Sequence, residues 1–267
     1  MNQDQIKSRL LELDNSVEDF TVTLSGKASK RANGLYHPES REIILHNKNF
    51  DNDNSLMYTA IHEFAHHIHF TQSPLPVTSR SHTTEFWDIL HKLLFLAEEK
   101  EIYINIFNIE PEFIDLTQRI KEGFLSANGQ LMKSFGQLLM HAMELCERHQ
   151  ASFYDYVDRV LGLHRTAARS LMKVSGMNIS PEIGYENMKI VARIADEDKR
   201  REAEQAFLDG KSPDMVKKEF ATQKRSSDRL ERLMEEKIRI ERSMERLSER
   251  LNVIEEEIQG IKDPGRN

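Results

Sequence analysis

A chain of 267 residues with 39% hydrophobic and 30% charged side chains can bury a real core, and its length allows one large domain or two modest ones. Its single cysteine, Cys146, excludes an internal disulfide framework and a thiolate zinc cluster. The net charge of −7 excludes uniform attraction to nucleic acid, so any such contact must come from a local basic patch. No apolar run approaches the roughly 18 residues of a membrane span, and charged residues interrupt positions 1–15 where a secretory leader would be apolar, so a cytoplasmic protein is expected.

Residues 18–24 alternate and residues 42–46 are β-branched and apolar, with turn-rich 32–35 and 37–40 between them, which predicts a small antiparallel hairpin or sheet. Asp53 or Asn54 offers an N-cap, and Leu56, Ile61, Phe64, Ala65 and Ile68 recur at helical spacing, predicting a helix over 55–70. The stretch 71–78, with two prolines, ends it. A second helix over 85–96 has Phe86, Ile89, Leu90, Leu93 and Leu94 as its apolar face.

After Pro111 the strand signals nearly vanish, and helices are predicted over 112–124, 128–149, 153–161, 165–174 and 185–208, punctuated by Gly162, Gly176, Pro181 and Gly210. Within 153–174 a helix, a turn at Gly162 and a second helix have helix-turn-helix spacing, with Val157, Val160, Leu161, Leu163, Ala167, Leu171 and Met172 as the expected shared core. Arg165, Arg169 and Lys173 recur every four residues as a basic stripe, either the DNA-facing side of a recognition helix or the solvated face of a scaffolding pair. Cys146, among Leu139, Met143 and Leu145, reads as a packed thiol rather than a nucleophile. From about Ser227, Leu230, Leu233, Lys237, Ile240, Met244, Leu247, Leu251, Ile254, Ile258 and Ile261 step by threes and fours, the mark of a coiled coil. A parallel homodimer is the expected partner arrangement, with Lys237 at an otherwise apolar position setting register; an intramolecular antiparallel pairing stays open.

The chemistry concentrates in residues 62–70, HEFAHHIHF, where four histidines and one glutamate share a predicted helix. His62 and His66 lie one turn apart on one face, about 6 Å along the axis, so two imidazoles can converge on one zinc ion at about 2.0–2.1 Å each. Glu63 beside them can act as general base toward a water activated by the ion. A catalytic zinc needs a third protein ligand and an open position, and His67, His69, His82 and Glu85 are the candidates. His67 points about 100° away, and His69 lies roughly 10 Å of rise from His62. His82 follows the proline-containing loop, which can fold back over the motif helix, and it is the expected third ligand. Glu85 is the fallback ligand or a residue that orients an imidazole, and His69 falls to a similar supporting place.

Gly34-Leu-Tyr, the strand around Glu42-Ile-Ile-Leu-His-Asn47, Ala60-Ile-His-Glu-Phe-Ala-His66 and Ser81-His82-Thr-Thr-Glu-Phe-Trp87 resemble the SprT-like zinc metallopeptidases over about residues 1–100. The resemblance implies a zincin-like α+β domain with Zn2+ on His62, His66 and His82, Glu63 as base, and the strand at 42–47 as the sheet edge along which an extended substrate pairs. Thr83 stands where that family often has glycine. HEFAHH is also similar to metallopeptidases that cleave phage or stress repressors, but Glu85-Phe-Trp-Asp-Ile lacks the glutamate-centred pattern of their third ligand. Residues 128–220 resemble helix-turn-helix segments of phage and mobile-element proteins. The expected organisation is therefore a metallopeptidase domain over 1–110, an all-α domain over 111–222 with its helix-turn-helix at about 153–174, and a coiled coil over 223–263. The expected function is a zinc endopeptidase acting on protein substrates, DNA-associated ones among them; the alternatives are a repressor-cleaving enzyme and a non-catalytic dimeric DNA-binding protein with a structural zinc.

Overall fold

The computed structural model describes residues 1–73, 77, 81–220 and 229–262, and the statements below concern those residues. Helix α1 (Gln3–Leu13) starts in a capping box, Asn2 accepting the Gln5 N–H and Gln5 accepting the Asn2 N–H, and buries Ile6, Leu10 and Leu13. Strands β1 (Thr21–Leu24), β2 (Gly34–His37) and β3 (Glu42–Leu45) form one sheet in the order β1-β3-β2. The sheet is mixed rather than antiparallel: β2 and β3 make a hairpin, while β1 runs parallel to β3 with Val22 opposite Ile43.

The physical reason lies in the loop over 25–33. Gly26 donates its N–H to Asn47 Oδ1 (2.9 Å) and Ser29 donates to Asn49 Oδ1 (2.9 Å), so the chain is carried past the end of β3 and returns on its far side. Alternation marks a strand without naming its neighbour. Two expectations change as a result. Residues 34–37 are a strand rather than part of a turn-rich connection, and β3 is the central strand, so it cannot be the edge on which a substrate would pair.

Helix α2 (Asp53–Gln72) begins two residues earlier than expected, capped by Asn52, whose Oδ1 accepts the Ser55 N–H at 2.9 Å. It buries residues on nearly every side, among them Leu56, Ile61, Phe64 and Ile68 with the polar Glu63, His66, His67 and His69. A helix so enclosed is a strut through the core rather than a surface element. Helix α3 (Thr84–Glu99) is capped by Thr83, which accepts the Phe86 N–H, and buries Phe86, Leu90, Leu93 and Ala97. One apolar cluster joins these elements through Ile6, Leu10, Phe20, Ile43, Leu45, Phe64 and Phe86.

Beyond it, α4 (Pro111–Ile120) passes through a π-helical stretch, Lys121–Ser126, into α5 (Ala127–Arg148), so the two predicted helices are continuous. The short α6 (Phe153–Asp155) runs into a second π-helical stretch, Tyr156–Val160, then a turn at Gly162 (φ +64°) and α7 (Arg165–Ser175). Gly136 lets α5 and α7 touch: a Cβ there would meet the Leu171 carbonyl oxygen at 2.4 Å. The core of this pair is Leu139, Val157, Ala168 and Leu171. Val160 and Leu161, expected inside, are exposed, because the wider π turn shifts the helical phase after Val157; the buried alanine is Ala168, not Ala167.

The predicted helix over 185–208 is two, α8 (Tyr185–Val191) and α9 (Glu197–Leu208), the second restarted by Asp196, which accepts the Lys199 N–H. A further helix, α10 (Pro213–Glu219), is capped by Ser212 and packs on α3. Helices α1 to α10 belong to one unit and α11 (Arg229–Lys262), a single 34-residue helix, to another. Met244, Leu247, Leu251 and Ile254 are exposed along α11. No described helix is long and apolar enough to cross a membrane. The predicted boundary at 222–223, the outer ends of the coiled coil, the Ile261 side chain and positions 74–76 and 78 of the loop 71–78 lie outside the described residues.

Candidate metal centre

The helical spacing of α2 places His62 and His66 side by side, their ring centroids 5.1 Å apart. The chain between α2 and α3 brings His82 to them: its Nε2 lies 3.1 Å from His62 Nε2 and 3.1 Å from His66 Nε2. Three imidazole nitrogens thus face one another, and among the described residues these three are the group whose ligand atoms could hold a metal ion. Metal–nitrogen bonds of about 2.0–2.1 Å in a tetrahedron separate the nitrogens by about 3.3 Å, so the cluster fits zinc in donor type and spacing. Burial, with His82 adjacent, pulls His62 from 6.5 down to about 4. Burial, with His62, His82 and His69 around it, pulls His66 down to about 3. Both rings are therefore neutral near pH 7, the form that ligates.

Phe86 is the floor of the cluster. Its ring stacks on His66 at 4.2 Å and meets His62 and His82 edge-on at 5.0 and 4.7 Å. His66 Nδ1 is buried without a hydrogen-bond partner, so stacking, and not an acceptor on the far nitrogen, orients this ring. Thr83, the departure from the resembled family, has a local use here as the cap of α3, and its hydroxyl lies 3.4 Å from His69 Nε2.

Glu63 is 7% exposed, and burial raises its carboxyl from 4.5 to about 7. It lies against β2: a Cβ on Gly34 would meet Glu63 Cγ at 2.9 Å and Thr59 Cγ2 at 2.8 Å. Only glycine lets this strand approach the carboxylate so closely. β2 pairs with β3 alone among the described strands, so the edge beside Glu63 is β2 and not the expected 42–47.

The remaining candidates sit elsewhere. His67 is fully buried, with Nε2 2.9 Å from the Glu18 carbonyl oxygen and Nδ1 3.0 Å from Tyr36 Oη. A carbonyl only accepts, so Nε2 carries the proton and Nδ1 accepts from Tyr36; this ring ties α2 to β2 and to the chain before β1. His69 is buried 3.9 Å from a Glu85 carboxylate oxygen, and the other Glu85 oxygen lies 3.9 Å from Lys218 Nζ. Glu85 is not among the converging ligand atoms.

On α7 the basic stripe is engaged with the preceding helix. Arg165 pairs with Asp158 at 2.5 Å, and Arg169 donates to Tyr154 Oη at 3.0 Å while its guanidinium lies 4.9 Å from that ring. Lys173, one turn on, shares the face. Sequence reasoning missed three contributors. In the sequence Phe86 reads only as an apolar face residue, Gly34 only as part of a resemblance, and Trp87, whose ring stacks on His82 at 5.6 Å, only as the end of a motif; no periodicity distinguishes a floor or a close approach from ordinary core. Comparison with known proteins finds no matching family, no matching curated protein and no matching solved structure.

Proposed function

We propose that the protein is a zinc-dependent endopeptidase in which His62, His66 and His82 hold the ion and Glu63 is the general base. The observation that carries this reading is the convergence of three imidazole nitrogens at 3.1 Å beside a buried carboxyl raised to about 7. Zinc bound there would supply Lewis-acid polarisation of a scissile carbonyl. Glu63, with its proton affinity near neutral pH, takes a proton from the attacking water and returns it to the leaving amine. The β2 edge offers main-chain groups to an extended peptide, and Gly34 brings that edge against Glu63, so a substrate paired along β2 passes the base.

The resemblance of residues 1–100 to SprT-like enzymes supports the same roles and points to proteins on DNA as substrates. The stripe on α7 is the proposed DNA contact, and the exposed heptad positions of α11 the proposed surface for a second copy. A repressor-cleaving enzyme with a carboxylate third ligand is the weaker reading, because the Glu85 oxygens face His69 and Lys218.

The test is proteolysis of a DNA-bound protein substrate by the purified chain. About one zinc per chain is expected, with cleavage stopped by a chelator and lowered roughly 10²–10⁴-fold by Glu63→Gln, which should keep its zinc. Full cleavage by Glu63→Gln would sink the catalytic reading and leave the metal site standing.

A further inference from the structure

Helix α2 positions His62 and His66, but His82 belongs to the non-helical chain ahead of α3, so something else must aim its ring. Trp87, the one tryptophan of the chain, stacks on His82 with centroids 5.6 Å apart and planes 28° apart. One turn further along α3, His91 stacks on Trp87 at 5.9 Å and 27°. His91 Nδ1 in turn lies 2.7 Å from the Ser212 hydroxyl, and Ser212 is the cap of α10. A row of contacts therefore runs from the cap of the last helix of this unit to the most exposed imidazole of the cluster. α10 is fastened again near its other end, where Lys218 reaches Asp88, 1% exposed, at 2.9 Å.

We propose that α10 is a clamp for the third metal ligand, with Ser212 and His91 as positioning residues acting on His82 through Trp87. The proposal rests on the reading of the three histidines as ligands and extends it to His91 and to Ser212, 121 positions further along the sequence. An imidazole on a loop loses rotamer and backbone freedom when it ligates. Fixing the ring beforehand removes that cost from binding, which is how residues behind a ligand usually strengthen a site. Phe86, edge-on to His82 at 4.7 Å, holds a second side of the ring but belongs to the floor common to all three histidines; the Trp87 row is particular to His82 and His62, whose centroid lies 6.4 Å from Trp87.

The experiment uses the full chain and zinc itself. Zinc affinity is measured by competition with a chromogenic chelator, ligand geometry by the visible spectrum of the cobalt-substituted protein, and the state of the row by Trp87 emission during the titration. His91→Leu and Trp87→Leu should weaken zinc binding on the order of 10–100-fold and alter the cobalt spectrum. Ser212→Ala should weaken binding several-fold, shift Trp87 emission, and be rescued by Ser212→Thr, which keeps the hydroxyl. Val157→Ala, in the separate α5–α7 core, should lower thermal stability and leave zinc affinity and the cobalt spectrum unchanged. Stoichiometric zinc whose affinity and cobalt spectrum are the same in His91→Leu as in the native chain overturns the clamp alone. A native chain that takes up no zinc overturns the ligand reading and the clamp together.

Discussion

Two pairs of residues at the same i, i+4 spacing meet opposite fates. His62 and His66 on α2 and Arg165 and Arg169 on α7 each share a helix face, as the spacing requires. Opposite the histidines stands a third imidazole, and their nitrogens converge at 3.1 Å without a carbonyl or carboxylate between them. Opposite the arginines stand Asp158 and Tyr154, which accept their hydrogen bonds. Spacing decides which side chains are neighbours, and the element across from them decides whether the group could hold an ion or is already hydrogen-bonded.

The largest expected effect breaks the histidine side of that comparison. His82→Ala should abolish stoichiometric zinc, since two imidazoles do not make a catalytic site, whereas Glu85→Ala should keep about one zinc per chain. Metal analysis after dialysis decides between them, and the reverse result would move the third ligand to Glu85.

The next prediction separates a close approach at the site from one in the scaffold. Gly34→Ala puts a methyl within 3.0 Å of Glu63 and Thr59, so it should lower cleavage at least tenfold, with zinc retained. Gly136→Ala puts one at 2.4 Å from a backbone oxygen of α7, which cannot retreat as a side chain can. It should destabilise by about 1–3 kcal/mol in denaturant melts and leave activity per folded molecule unchanged.

Smaller is the pH dependence of the metal-free protein. Burial holds His67, like His62 and His66, below 6.5 in the folded state, so the unfolded chain takes up protons that the folded chain refuses. That stability is present above about 6.5 and is lost as pH falls below it. Glu63 works the other way, since its raised carboxyl binds a proton earlier when folded, but three histidines outweigh one glutamate. Denaturation midpoints at pH 7.5 and 5.5 should therefore fall with acid, and His67→Gln should reduce the proton uptake on unfolding.

The smallest effect lies on the arginine side. Arg165→Ala with Arg169→Ala should scarcely change the melting temperature, because both groups are exposed. If the stripe meets DNA, binding to duplex should weaken and its salt slope fall by about one per arginine removed; an unchanged slope would leave the stripe as a helix-pair brace.

Much of the site was legible without coordinates because its information is local. HEFAHHIHF on a helix separates His62, Glu63 and His66 from His67 by angle alone, and a proline-containing loop followed by His82 near a helix start lets that residue return. The heptads over 230–261 likewise require one long helix, since no other backbone keeps such a stripe on one side. What alternation could not convey was strand order. Whether β1 met β2 or β3, and therefore whether 42–47 was an edge, depended on asparagine side chains at Asn47 and Asn49 gripping a loop some 20 residues away. The phase error at Val160 and Leu161 has a similar origin, since a single π turn leaves no mark on apolar spacing.

By itself, then, the sequence determined the candidates: His62 and His66 presented together by one helix, Glu63 beside them, and His82 among four side chains that could complete the group. Only the tertiary structure decided that β2 and not β3 borders Glu63, that Phe86 rather than a hydrogen-bond acceptor orients His66, and that Ser212 is tied through His91 and Trp87 to His82. The reason is range. Helical geometry fixes side-chain directions within a turn or two, whereas strand neighbours, ring stacks and helix docking are chosen by packing between segments far apart in the chain.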